Sequence, residues 1–116
     1  MDFVITRSYQ GTTVRLALHG ELDLATAGEV RDAVTALLAR SAPERIVLDL
    51  TCVSFIDSTG IGSLVACHQA AGVSGSRLEL ENISSFTRRQ LWATGLLGLF
   101  GFPADHATPT DLPVGR

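Results

Sequence analysis

The sequence predicts a small α/β domain, a mixed β-sheet whose strands alternate with helices and whose first two strands form a hairpin. Three observations carry this reading. Apolar and polar residues alternate over 3–9 and 12–19, the period of half-buried strands. From about residue 26 the apolar spacing lengthens to that of a helix. Further on, a run of branched apolar residues gives way to small, helix-compatible ones, and strand and helix patterns keep alternating.

Each element has its own signal. Phe3 and Ile5, then Val14, Leu16 and Leu18, mark the buried sides of two strands, with a turn at Gln10-Gly11 between them. Thr26-Ala-Gly-Glu29 reads as a capping box, hydroxyl and carboxylate each taking a free amide at a helix start. Val30, Ala33, Val34, Leu37 and Leu38 follow at helical spacing, so the first helix is expected over about 26–40, with Ala42-Pro43 beyond its end. Ile46-Val-Leu48 and Leu50 form a nearly continuous branched run, the pattern of a central strand covered on both faces. A second helix is expected from Ser58 to about Ala71, with Gly72 and Gly75 at its exit. Leu78 and Leu80 alternate with Arg77, Glu79 and Glu81 as a half-buried strand, and Ser84 or Ser85 caps a third helix ending near Gly95. The last residues, PADHATPTDLPVGR, hold three prolines and little to bury, so the domain is expected over 1–103 and a flexible tail over 104–116.

Bulk properties narrow the function. The chain has 116 residues, the size of one domain with one core. A net charge of −3, with nine scattered arginines and no lysine, offers no basic stripe for nucleic acid. The missing lysine also removes a Walker-A phosphate loop and Schiff-base chemistry. Cys52 and Cys67 lack C-x-x-C spacing and no secretory leader precedes them, so two buried thiols in a reducing cytoplasm are expected. No apolar run approaches the roughly twenty residues that span a bilayer, so no membrane insertion is expected.

The stretch FIDSTGIG, residues 55–62, raises the functional question. Ser58 sits where a strand gives way to a helix, and one reading makes it a helix cap accepting an amide near Ile61. The helix behind it is unusual. No formal charge of either sign occurs between Asp57 and Arg77, and only Ser63, His68, Gln69 and Ser74 are left to solvate it. Ile61, Leu64 and Val65 supply a stripe for the sheet, while Gly60, Gly62, Ser63, Ala66 and Ala70 form a second, uncharged face of small side chains suited to docking a protein. A phosphate on Ser58 would add about −1.5 to −2 charges at the positive end of the helix dipole, which the fold tolerates. It would act on a docked partner through charge and desolvation.

These residues resemble the STAS domain of the anti-sigma-factor antagonist type, over nearly the whole chain to about Phe102. The most specific match is IVLDLTCVSFIDSTGIGSLV, residues 46–65, supported by GELD at 20–23 and TGLLGLF at 94–100. The resemblance implies a small STAS-type α/β fold and a partner-switching role in transcription regulation, in stress response or sporulation. Ser58 is then the residue phosphorylated by an anti-sigma factor that is itself a serine kinase. The unmodified form binds that factor and frees its sigma factor, the phosphorylated form does not, and a phosphatase resets the cycle. Asp57 shapes the phosphorylation loop, Asp23 lies near the same surface, and Thr59 is a minor alternative acceptor. With Gly60, Ile61, Gly62 and Ser63 these residues make up the loop and its contact surface. The alternative is a STAS subunit of a lipid-transport assembly or a stress-signalling scaffold without a phosphorylation switch. Within FTRRQLWATG, Trp92 falls where a charge is expected, as does Leu97 just beyond; a second apolar contact patch for self-association and a core role for Trp92 are both open.

An enzyme is not expected. A G-x-S-x-G elbow is missing, Asp57 adjoins Ser58 too closely to serve as its base, and His19 and His68 read as structural. Cys52, Cys67 and the three histidines show no ligand spacing, so neither metal nor cofactor is expected.

Overall fold

The computed structural model describes residues 2–102. Its elements are β1 (Val4–Gln10), β2 (Thr13–Leu22), α1 (Ala27–Arg40), β3 (Arg45–Ile56), α2 (Ser58–Val73), β4 (Arg77–Glu81), α3 (Ser85–Ala93) and one 3-10 turn at Gly98–Phe100. The proposed tail, 104–116, lies outside the described residues.

Gly11, at φ +61°, opens a two-residue turn that only a residue without a β-carbon adopts freely, and β1 folds back antiparallel on β2. Strand order is β1-β2-β3-β4, with β2, β3 and β4 mutually parallel. Parallel neighbours need crossovers, here α1 and α2. Both crossovers advance across the sheet in the same direction, and right-handed connections therefore bring both helices to one face. That face carries Leu16, Leu18, Ile46, Leu48, Leu78 and Leu80, which join Val30, Val34, Leu64, Leu91, Leu97 and Phe100 in a single core. Full burial of each such side chain is worth about 1.5–3 kcal/mol.

The expectation that β3 is covered on both faces holds only through side chains. Among the described residues no helix covers the opposite face; there Arg15 bonds Asp49 and Glu81, and Arg45 bonds Glu79 at 2.7 Å. Val47 is nevertheless buried, because Arg15 and Glu79 flank it in register and shield it with their aliphatic stems. Cys67 lies in the core, but Cys52 faces this helix-free side opposite His19 and is exposed, which corrects the expectation of two buried thiols.

The first helix also departs in detail. Thr26 is its N-cap residue, yet its hydroxyl takes no helix amide: it donates to the Glu21 carbonyl at 2.7 Å and accepts from the Asp23 amide at 3.0 Å. The Asp23 carbonyl already takes the Thr26 amide at 3.1 Å and the Thr26 carbonyl takes the Glu29 amide at 2.9 Å, so both amides of the predicted box are spent, and Glu29 stays exposed. The third helix starts as expected, with the Ser84 hydroxyl accepting from the Thr87 amide at 3.1 Å. Among the described residues no helix is long and apolar enough to cross a membrane.

Candidate functional site

β3 delivers the FIDSTGIG segment to one end of the sheet. Ile56 is buried; Asp57 then leaves the strand still extended, at φ −110° and ψ −172°, and caps α2. Its carboxylate accepts from the Gly60 amide at 2.9 Å, and its carbonyl from the Ile61 amide at 2.9 Å. The cap therefore lies one residue before Ser58, the residue considered for it. Asp57 has the non-helical backbone a cap requires, whereas Ser58 is already the first helical residue. Freed from capping, Ser58 is exposed, and among the described residues no side chain hydrogen-bonds its hydroxyl.

Gly60 explains how the helix start is seated. A β-carbon there would lie 2.3 Å from the Leu22 carbonyl oxygen and 2.8 Å from Ile56 Cγ1, so α2 rests backbone to backbone on the end of β2. The Asp57 amide completes the junction by donating to the same Leu22 carbonyl at 3.3 Å. Ser63 is fully buried, its hydroxyl donating to the Gly60 carbonyl at 2.7 Å. Gly60 and Ser63 thus hold the site from below, which corrects the expectation that they belong to a contact surface.

The same junction brings Asp23 close, since it follows Leu22 directly. Its carboxylate accepts from the Ala25 amide at 3.0 Å and its carbonyl from the Ala27 amide at 2.8 Å, a tight turn that leaves Leu24 78% exposed at its tip. Thr59 is half-buried and Gly62 exposed. At the head of α2 the Ser58 and Thr59 amides have no helical acceptor, and the first turn holds no acidic side chain.

A groove of about 510 Å³ opens beside Ser58, between α2 and α3. Ile61, Gly62 and Val65 form one wall, Gln90, Ala93, Thr94 and Leu96 the other. It contains no charged side chain. Gln90 ties α3 to the site by donating from Nε2 to the Ile56 carbonyl at 3.3 Å. The sequence placed Ile61 and Gly62 at the contact surface, but it assigned Val65 only to the stripe for the sheet and missed Leu24 and the α3 wall. The run of small and apolar residues at 93–97 was visible, but nothing local says which helix it faces. Leu97 turns out to be core; Trp92 is 42% exposed, so the core role considered for it is not observed. Of the histidines, His19 meets the Thr6 hydroxyl and His68 packs its ring edge on Phe100 at 5.4 Å between centroids.

Comparison with known proteins agrees with this architecture. The STAS domain family model matches residues 4–109, and the chain belongs to that family. It is 32% identical over 114 residues to the anti-sigma-F factor antagonist RsfB of Mycobacterium tuberculosis, covering 97% of this chain and 91% of that one. Among solved structures, an anti-sigma factor antagonist from Mycobacterium paratuberculosis superposes with a TM-score of 0.76 at 26% identity, over 91% of each chain. The Bacillus cell fate determinant SpoIIAA in its phosphorylated form gives 0.67 at 25% identity, over 85% of this chain and 87% of that one.

Proposed function

We propose that this chain is an anti-sigma-factor antagonist that works by partner switching in the cytoplasm. Unmodified, it docks an anti-sigma factor and so releases a sigma factor; phosphorylation of Ser58 by that factor's kinase activity abolishes docking, and a phosphatase restores it. The observation that carries the reading is the position of Ser58: exposed, relieved of capping by Asp57, and at the rim of an uncharged groove. The names of its relatives support the same assignment.

The geometry gives the switch a physical basis. A phosphate on Ser58 meets the free Ser58 and Thr59 amides and the positive helix end, so the fold accommodates it. The same dianion sits beside Asp57 and beside an apolar surface, where a docked side chain would have to desolvate it. Repulsion therefore falls on the complex, and the chain itself keeps its structure. The test is incubation with the candidate kinase and ATP, followed by mass spectrometry and a binding titration. The wild type gains one phosphate on Ser58 and loses affinity by about two orders of magnitude, while Ser58→Ala gains none and keeps binding. Equal binding before and after modification sinks the switch.

A further inference from the structure

We propose that the chain self-associates through the free edge of β1, two copies pairing antiparallel about a twofold axis at Thr6 so that their sheets join into one. β1 and β4 are the two sheet edges, and they differ. β4 is short and charged at Arg77, Glu79 and Glu81, and the 3-10 turn flanks it, Leu78 and Leu80 sharing a cavity with Leu99 and Phe100. β1 reads VITRSYQ: seven residues, one charge, no proline, and among the described residues nothing paired with its outer side. Such an edge is a template for another strand. Its one charge, Arg7, lies on the helix-bearing side and shares a hollow with Leu37 and Arg40 of α1. Tyr9 and Ala36 line the same hollow.

The register follows from the hairpin. Gly11 has a positive φ and Thr12 does not, which makes a type II′ turn, whose flanking pair Gln10–Thr13 is hydrogen-bonded. Counting back in twos, the backbone groups of Ser8, Thr6 and Val4 are spent on β2, and those of Tyr9, Arg7, Ile5 and Phe3 face outward. Antiparallel self-pairing must match like faces, so the axis passes through a residue. Centred on Arg7, it sets two guanidinium groups opposite each other. Centred on Ser8, it leaves half of the outward groups unused. Centred on Thr6, it pairs Ile5 with Arg7 and Phe3 with Tyr9 of the second copy, making roughly eight backbone hydrogen bonds and a threonine–threonine pair at the axis. The start of β1 lies beside Gly20, toward the Ser58 end of the sheet, so the two Ser58 sites fall at opposite ends of the assembly and both remain open.

Sedimentation equilibrium of the full chain tests this, with a dimer expected at tens of micromolar. Arg7→Pro removes an outward donor without costing β2 a bond, and Thr6→Lys sets like charges at the axis; both are expected to yield monomers with unchanged circular dichroism. In a Cys52→Ser background, Thr6→Cys is expected to form an intermolecular disulfide on mild oxidation, while Ser8→Cys does not. A wild type that stays monomeric at every concentration overturns the proposal, as does a dimer that survives both β1 substitutions or a Thr6→Cys chain that fails to cross-link.

Discussion

Ser58 matters because of what its neighbours do, and each neighbour can be tested alone. Gly60→Ala forces a methyl group to 2.3 Å from the Leu22 carbonyl, where only backbone can yield. Denaturant titration is expected to show a loss of about 3 kcal/mol, and a stability within experimental error of the wild type would refute the seating of α2 on β2. Asp57→Ala removes the cap and should cost about 1 kcal/mol, whereas Ser58→Ala, which breaks no hydrogen bond, should cost under about 0.5 kcal/mol. A larger cost for the serine than for the aspartate would reverse the assignment of the cap. The two thiols separate as well: burial pushes the Cys67 thiol up to about 11, while Cys52 is exposed. A thiol reagent at neutral pH should therefore titrate one cysteine quickly and the other only on unfolding, the fast one disappearing in Cys52→Ser.

At the scale of elements, the α2–α3 groove and the helix-free sheet face have different jobs. Ala93 is exposed and lines the groove, so Ala93→Arg keeps the fold while placing a cation where an apolar side chain would dock. Affinity for the anti-sigma factor is expected to fall about tenfold or more, as loss of a buried contact of about 1.4 kcal/mol implies, with the melting curve unchanged. On the sheet face, burial pushes the Asp49 carboxyl up, but hydrogen bonds from Asn82 and Thr51 and the Arg15 guanidinium outweigh it and hold it at about 2. Because the folded value lies below the unfolded one, Asp49 contributes stability that is complete above about pH 4 and is lost as pH falls toward 2. Asp49→Asn should flatten that acid limb in unfolding measured against pH; an unaltered limb would remove Asp49 as its source. How much of this was legible differs between the two features. The alternation of Leu78 and Leu80 with Arg77, Glu79 and Glu81 already shows a half-buried strand. The groove has no such signature, since its α3 wall is assembled by packing across the chain.

At the scale of the whole molecule, the sheet carries the described helices on one side, and the proposed site lies at the end where α1 and α2 begin. The β2–α1 turn and the β3–α2 junction meet at the Leu22 carbonyl, so Asp23, Asp57 and Ser58 converge although more than thirty residues separate the first from the others. Phosphorylation at that corner, outside the core, should leave global unfolding nearly unchanged while abolishing partner binding. A large drop in melting temperature on modification would instead point to a switch that works by melting the helix.

The amino-acid sequence determined the strand and helix order, the hairpin turn, the serine at the head of an uncharged helix and the family resemblance. All of these depend on periodicity, turn chemistry and short motifs, which act between residues close along the chain. Tertiary structure decided that Asp57 rather than Ser58 caps α2, that Ser63 and Gly60 lie beneath the site, that Cys52 is exposed, and that α3 closes a groove beside Ser58. Each of those outcomes depends on which distant backbone or side chain arrives within a few ångströms, and local pattern carries no record of that.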